Sequence, residues 1–140
     1  MPKARTTSSL DAEIIAIGTE LLIGGRSDSN SIFLADELGK LGIVVRFKSV
    51  VGDEKQDIVT AIHTAAKRAQ VIIMTGGLGP TVDDCTREAV ARATGHRLSR
   101  RKEALEGMTA RLAQWGRRPN TAQLRQALIP SGAAVLNNAV

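Results

Sequence analysis

Aromatic side chains are almost missing from this chain: two Phe, one Trp and no Tyr among 140 residues. Its core must therefore be aliphatic and close-packed, and 43% hydrophobic residues suffice to build one. The supply of Ile, Leu and Val excludes a disordered chain. A single cysteine, Cys85, excludes an intrachain disulfide and a cysteine zinc cluster, and a cytoplasmic setting is expected. No apolar run approaches the length of a membrane span, so no membrane partner is expected. The first nine residues are polar and basic with no apolar stretch behind them, unlike a secretory signal. Residues 1–10 read as a loose tail and 11–140 as one domain. Internal repeats and low-complexity segments are absent. His63 and His96 lie far apart, without metal-ligand spacing.

What is present alternates between two patterns. Short apolar runs at Ala12–Gly18, Ile43–Val51 and Val71–Thr75 read as strands. Between and after them apolar residues recur at helical spacing. Ile32, Leu34, Ala35, Leu38 and Leu41 follow caps offered by Ser27, Asp28 and Ser29, and Gly42 stops them. Ile58, Ile62, Ala65, Ala66 and Ala69 mark a second helix, opened by Asp53. Ala89, Val90 and Ala93 mark a third, capped by Asp83 and Asp84 and ended by Gly95. A fourth carries a core stripe of Leu105, Met108, Leu112 and Trp115, broken by Pro119, and Thr121–Leu128 forms a short fifth. This alternation predicts βαβ units: a mostly parallel sheet in a three-layer α/β/α fold. Ala133–Val140 reads as the start of a further strand or its lead-in.

In such a sheet, ligands bind beyond the carboxyl ends of the strands. The third strand runs directly into Thr75-Gly76-Gly77-Leu78-Gly79-Pro80-Thr81-Val82-Asp83-Asp84. Gly76, Gly77 and Gly79 open backbone conformations closed to other residues and let amide groups approach an anion. The following helix N-terminus adds partial positive charge, and Thr75 and Thr81 add hydroxyls. Asp83 and Asp84 would repel a bare phosphate. A divalent cation, Mg²⁺ or Co²⁺, reconciles them, because Mg²⁺ bridges carboxylates and substrate phosphates. Glu20, in the Gly18–Gly24 loop after the first strand, is a further acid at the same expected edge, and Asn30 a polar side chain near it. Asp53 follows the second strand. Cys85 reads as a packed, inert thiol.

The stretch TGGLGPTVDDCT resembles the signature of the molybdenum-cofactor biosynthesis domain, also called the molybdopterin-binding domain. AEIIAIGTELLIGGRSDSNSIFLADELGKLGI, VVGDE and Arg118-Pro119-Asn120 through Ile129-Pro130 look like the N-terminal domain of the competence/damage-inducible CinA proteins. The resemblance implies a three-layer α/β/α fold and binding of a pterin phosphate or a nucleotide. For the CinA branch it implies a metal-dependent ADP-ribose pyrophosphatase that yields AMP and ribose 5-phosphate. Asp84, Asp53 and Glu20 match the family's motif acids. Asp83 stands where cofactor-insertion members tend to carry Arg. Dimers or trimers are implied, and the family's chains continue with a closing strand and often a deamidase domain.

Two functions therefore compete. In one, Asp84 and Asp53 are catalytic, Glu20, Asp83 and Asp84 hold the metal, and Thr75, Gly76, Gly77, Gly79, Thr81 and Asn30 bind a nucleoside diphosphate sugar that is hydrolysed. In the other, the same turn binds molybdopterin without hydrolysis. The net charge of +5, crowded into Arg97, Arg100, Arg101, Lys102, Arg111, Arg117, Arg118 and Arg125, favours anionic ligands. Nucleic acid is not the expected partner, because no interleaved aromatics accompany these cations.

Overall fold

A computed structural model describes residues 10–136. The expected tail at 1–9 and the last four residues lie outside the described range. The chain forms two compact units, one ending at Thr75 and the other beginning at Gly76.

The first unit is built on three strands: β1 (Asp11–Ile17), β2 (Val44–Val51) and β3 (Val71–Thr75). They lie in the order β2-β1-β3, all parallel. Ile17 pairs with Val51 and Ala16 with Thr75. The carboxyl ends of all three strands therefore share one edge, as parallel crossovers require.

β1 is central and its alternation assigns two faces. Ala12 and Ile14 pack with Leu34, Ala35, Leu38, Ile43, Val45, Val71 and Ile73. These include the inward stripe of α2 (Ser29–Lys40). Glu13, Ile15 and Ile17 face the other way, where α3 (Lys55–Ala66) buries Ile58, Val59, Ile62 and Ala65. Helix, sheet and helix are the three layers. Asp28 starts α2 by accepting the amide of Ser31 at 3.0 Å and its hydroxyl. The expected stripe of α2 is narrower than its sequence spacing indicates, since Ile32 and Leu41 are exposed.

The second unit holds α4 (Thr86–Thr94), β4 (Leu98–Arg100), α5 (Lys102–Ala113), α6 (Thr121–Leu124), a 3₁₀ turn (Arg125–Ala127) and β5 (Leu128–Pro130). Gly95 closes α4 in the left-handed conformation. β4 and β5 form an antiparallel pair that the sequence reading missed; three residues are too short to show a period. Asn120 and Gln123 make a reciprocal capping box at the start of α6. One expectation fails here: Trp115 is 66% exposed, while Leu112 is buried and Leu105 and Met108 are half-buried along α5. Ala133–Leu136 are irregular, and residues 137–140 of the expected strand or its lead-in lie outside the described residues.

No helix among the described residues is long and apolar enough to cross a membrane.

Candidate functional site

At the carboxyl edge of the first unit, the chain leaves β1 through Gly18 into a four-residue helix, α1 (Thr19–Leu22), absent from the sequence reading. Asp53, just past β2, reaches this helix. Its Oδ2 accepts the Thr19 amide at 2.9 Å, and its own amide donates to Thr19 Oγ1 at 3.3 Å. The reciprocal pair ties the β1 and β2 exits together. Asp53 does not cap α3, whose cap position is Glu54. Glu20 is exposed and its carboxylate folds over Gly18, where a Cβ would lie 2.6 Å from Oε2. Asn30, in the first turn of α2, is exposed. Thr75 is the last residue of β3 and pairs with Ala16.

The Gly-rich turn opens the second unit. Gly76 and Gly77 both take positive φ, at 91° and 62°, which side chains resist. Gly79 has no such φ. Its missing side chain serves another purpose: a Cβ there would lie 2.5 Å from Asp84 Oδ2.

Asp84 turns inward. Its Oδ2 accepts the Thr81 amide at 2.9 Å and the Thr81 hydroxyl at 2.5 Å. The Thr81 hydroxyl does most to hold this carboxyl below its ordinary pKa. Partial burial opposes it, while the amides of Thr81 and Gly79 and the charge of Arg87 add to it. Asp84 is thus an ionised internal anchor. The expectation that it caps α4 is corrected, because Cys85 occupies the cap position. Asp83, beside Asp84, is exposed.

Four further residues shape this turn and were missed in the sequence. The Thr86 hydroxyl donates to Gly76 O at 2.8 Å, and its amide to Gly77 O at 3.2 Å. Arg87 donates to Leu78 O at 2.6 Å and Gly79 O at 2.9 Å. Gln126 Nε2 donates to Leu78 O at 3.2 Å, and Arg125 Nη1 to Thr81 O at 3.3 Å. Nothing in residue type or spacing marks them, since their partners are backbone carbonyls and the late ones lie more than forty positions away.

The acids are oxygen donors suited to Mg²⁺. Among the described residues, no three His, Cys, Asp or Glu side chains gather to hold a metal ion. In each unit the structure brings together one set: Thr19 with Asp53, and Gly79 and Thr81 with Asp84.

Residues 13–138 match the molybdenum-cofactor biosynthesis family, described as a probable molybdopterin binding domain. A CinA-like protein of Gloeothece citriformis is 47% identical over 129 residues, and one of Solibacter usitatus 43% over the same length. Each match covers 92% of this chain and 31% of the relative, so the chain spans about a third of those proteins. Among solved structures, CinA of Thermoplasma acidophilum, a protein of unknown function, superposes with a TM-score of 0.84 at 31% identity. That match covers 94% of this chain and 77% of the other. The tungsten-cofactor-synthesizing protein MoaB of Pyrococcus furiosus gives a TM-score of 0.60 at 25% identity, covering 79% and 66%. The chain belongs to the molybdopterin-binding-domain family, and within it to the CinA-like proteins.

Proposed function

We propose that this CinA-like domain binds the diphosphate of a nucleoside diphosphate sugar at the Gly76–Asp84 turn and hydrolyses it, with ADP-ribose as substrate. The observation that carries the reading is the turn itself. Two successive positive-φ glycines begin it, and an ionised Asp84 locks its far half. In the reaction, water oxygen bonds to one phosphorus, the bridging P–O bond breaks, and the products are AMP and ribose 5-phosphate.

The acids suit a divalent ion in one mode, where substrate phosphates complete a sphere begun by one or two carboxylates. Asp83 is the acid of the turn placed to begin it, being exposed and not engaged in holding the loop. Mg²⁺ or Co²⁺ bound there would neutralise diphosphate charge and lower the pKa of water. Asp84 acts through the loop instead. It accepts the Thr81 amide and hydroxyl and so fixes the backbone that faces the phosphates. At the other unit's edge, Asp53 fixes Thr19 in the same manner, and Glu20 offers an exposed carboxylate.

Incubation with ADP-ribose and Mg²⁺ or Co²⁺ should release AMP, and chelation should stop it. Asp83→Asn should lower turnover at least tenfold and leave ADP binding without metal unchanged. Asp84→Asn should lose both turnover and ADP binding while the fold remains intact by circular dichroism. Wild-type turnover in Asp84→Asn would sink the assignment. The second reading, molybdopterin binding without hydrolysis, is favoured by the family's description and the likeness to MoaB. Tight pterin binding with no AMP release would select it.

A further inference from the structure

We infer that Arg87, Arg125 and Gln126 are positioning residues for the phosphate-binding turn, holding its carbonyls rearward so that a diphosphate meets amide groups instead of oxygens. The inference rests on the reading that this turn binds phosphate.

Arg87 is the starting point. It is only 6% exposed, yet it makes no salt bridge among the described residues. Burying a guanidinium is costly unless it is paired. This one spends both terminal nitrogens on the carbonyls of Leu78 and Gly79, and its Nε has no partner. A side chain placed at such cost, with two hydrogen bonds on loop carbonyls and its charge beside the loop's Asp84, points to the loop's shape as what it serves.

The late segment grips the same loop. Gln126 adds a second donor to Leu78 O. Arg125 bridges Thr81 O and Glu88 Oε1, at 3.3 and 3.1 Å. With Asp84, these contacts clamp successive peptide planes. The Leu78–Gly79 peptide has its carbonyl on both Arg87 and Gln126. The Gly79–Pro80 peptide has its carbonyl on Arg87 and no amide to place. The Pro80–Thr81 peptide has its amide on Asp84, and Thr81–Val82 its carbonyl on Arg125.

Two consequences follow. A peptide plane held at its ends cannot flip, so the loop is organised before ligand arrives and binding avoids that ordering cost. Cationic donors on the carbonyls also offset the negative ends of dipoles that would otherwise repel phosphate oxygens.

The test uses Arg125→Gln, Arg125→Lys and Gln126→Ala, with Arg100→Gln as a control, since Arg100 is an exposed cation of the same unit. Amide hydrogen exchange over residues 77–84 is followed in the unligated chain, and ADP affinity by calorimetry well below each melting point. Arg125→Gln and Gln126→Ala should speed exchange in the turn while β1 stays protected. Arg125→Gln should weaken ADP about tenfold, the scale of one charge-assisted hydrogen bond, and Gln126→Ala about fivefold, the scale of a neutral one. Arg125→Lys keeps the charge but not the fork, and should weaken ADP nearly as much. Arg100→Gln should change neither quantity by more than twofold. Unchanged exchange in the turn would overturn the inference, and so would full affinity in Arg125→Lys. If wild type fails to bind ADP, the functional reading fails, and the exchange arm still decides whether these residues brace the turn.

Discussion

A methyl group on Gly79 would collide with the Asp84 carboxylate, the atoms lying 2.5 Å apart. Relief requires Asp84 to move or the turn to shift, and Asp84 is held by Thr81 on one side and bears the charge influence of Arg87 on the other. Overpacking at a fixed neighbour typically costs about 1–3 kcal/mol. Gly79→Ala should therefore destabilise the protein on that scale in urea melts and weaken ADP about tenfold or more. The double variant Gly79→Ala/Asp84→Ala should recover stability and not binding. Recovery of both would show that Asp84 only fills space. Here the sequence was half legible. The glycine-rich turn with its paired acids was visible in the sequence, but whether Asp84 faces outward or its own backbone depends on side-chain rotation, which no spacing encodes.

Elements show a different balance. β1, β2, β3, α2, α3 and the Gly95 stop of α4 were legible because their periods and breakers agree, although α3 and α4 start at Glu54 and Cys85 and not at the expected aspartates. The brief elements α1, β4 and β5 were not, since a few residues carry no period and tertiary contacts decide them. Nor did the sequence reading single out Glu13, which is 0% exposed in the central strand. Arg68, just after α3, meets its carboxylate with two bonds of 2.8 Å, and Ser49 of β2 donates a third at 2.6 Å. Arg68 also lies 3.8 Å from the centroid of the Phe47 ring. The cluster joins β1, β2 and the exit of α3, and a register slip between β1 and β2 would break it. Hydrogen bonding from Arg68 holds the Glu13 carboxyl below its ordinary pKa, with burial opposing and Ser49 and the Arg68 charge assisting. A depressed carboxyl stabilises the fold above its unfolded pKa of about 4.3 and loses that contribution as pH falls through the folded value. Arg68→Ala leaves the buried carboxylate without its cation and should destabilise the protein near neutrality. The gap from wild type should narrow as pH falls from the unfolded pKa through the depressed folded value of Glu13, where the wild-type carboxylate takes up a proton. Urea melts at pH 7 and pH 3.5 test this, and an equal gap at both would mean Arg68 contributes packing and not charge.

Over the whole molecule, the net charge of +5 is unevenly placed. Up to Thr75 the chain carries nine basic and nine acidic side chains; from Gly76 it carries ten basic and five acidic. The entire excess therefore belongs to the unit that contains the Gly-rich turn. Arg125 is partly neutralised by Glu88, Arg101 by Glu103 and Lys102 by Glu106, while Arg92, Arg97, Arg100, Arg117 and Arg118 are exposed. A positive field around an anion site raises the capture rate of a diphosphate, and salt screens it over a Debye length of about 10 Å at 0.1 M. The bound geometry, set by short contacts within the turn, is screened much less. Raising NaCl from about 20 to 200 mM should therefore increase KM for ADP-ribose severalfold and leave kcat nearly constant. Replacing Arg92, Arg97 and Arg117 together by Gln should flatten that dependence without changing kcat. A KM indifferent to salt in wild type would mean that the excess charge of this unit does not act on the ligand, and that short-range contacts of the turn account for recognition.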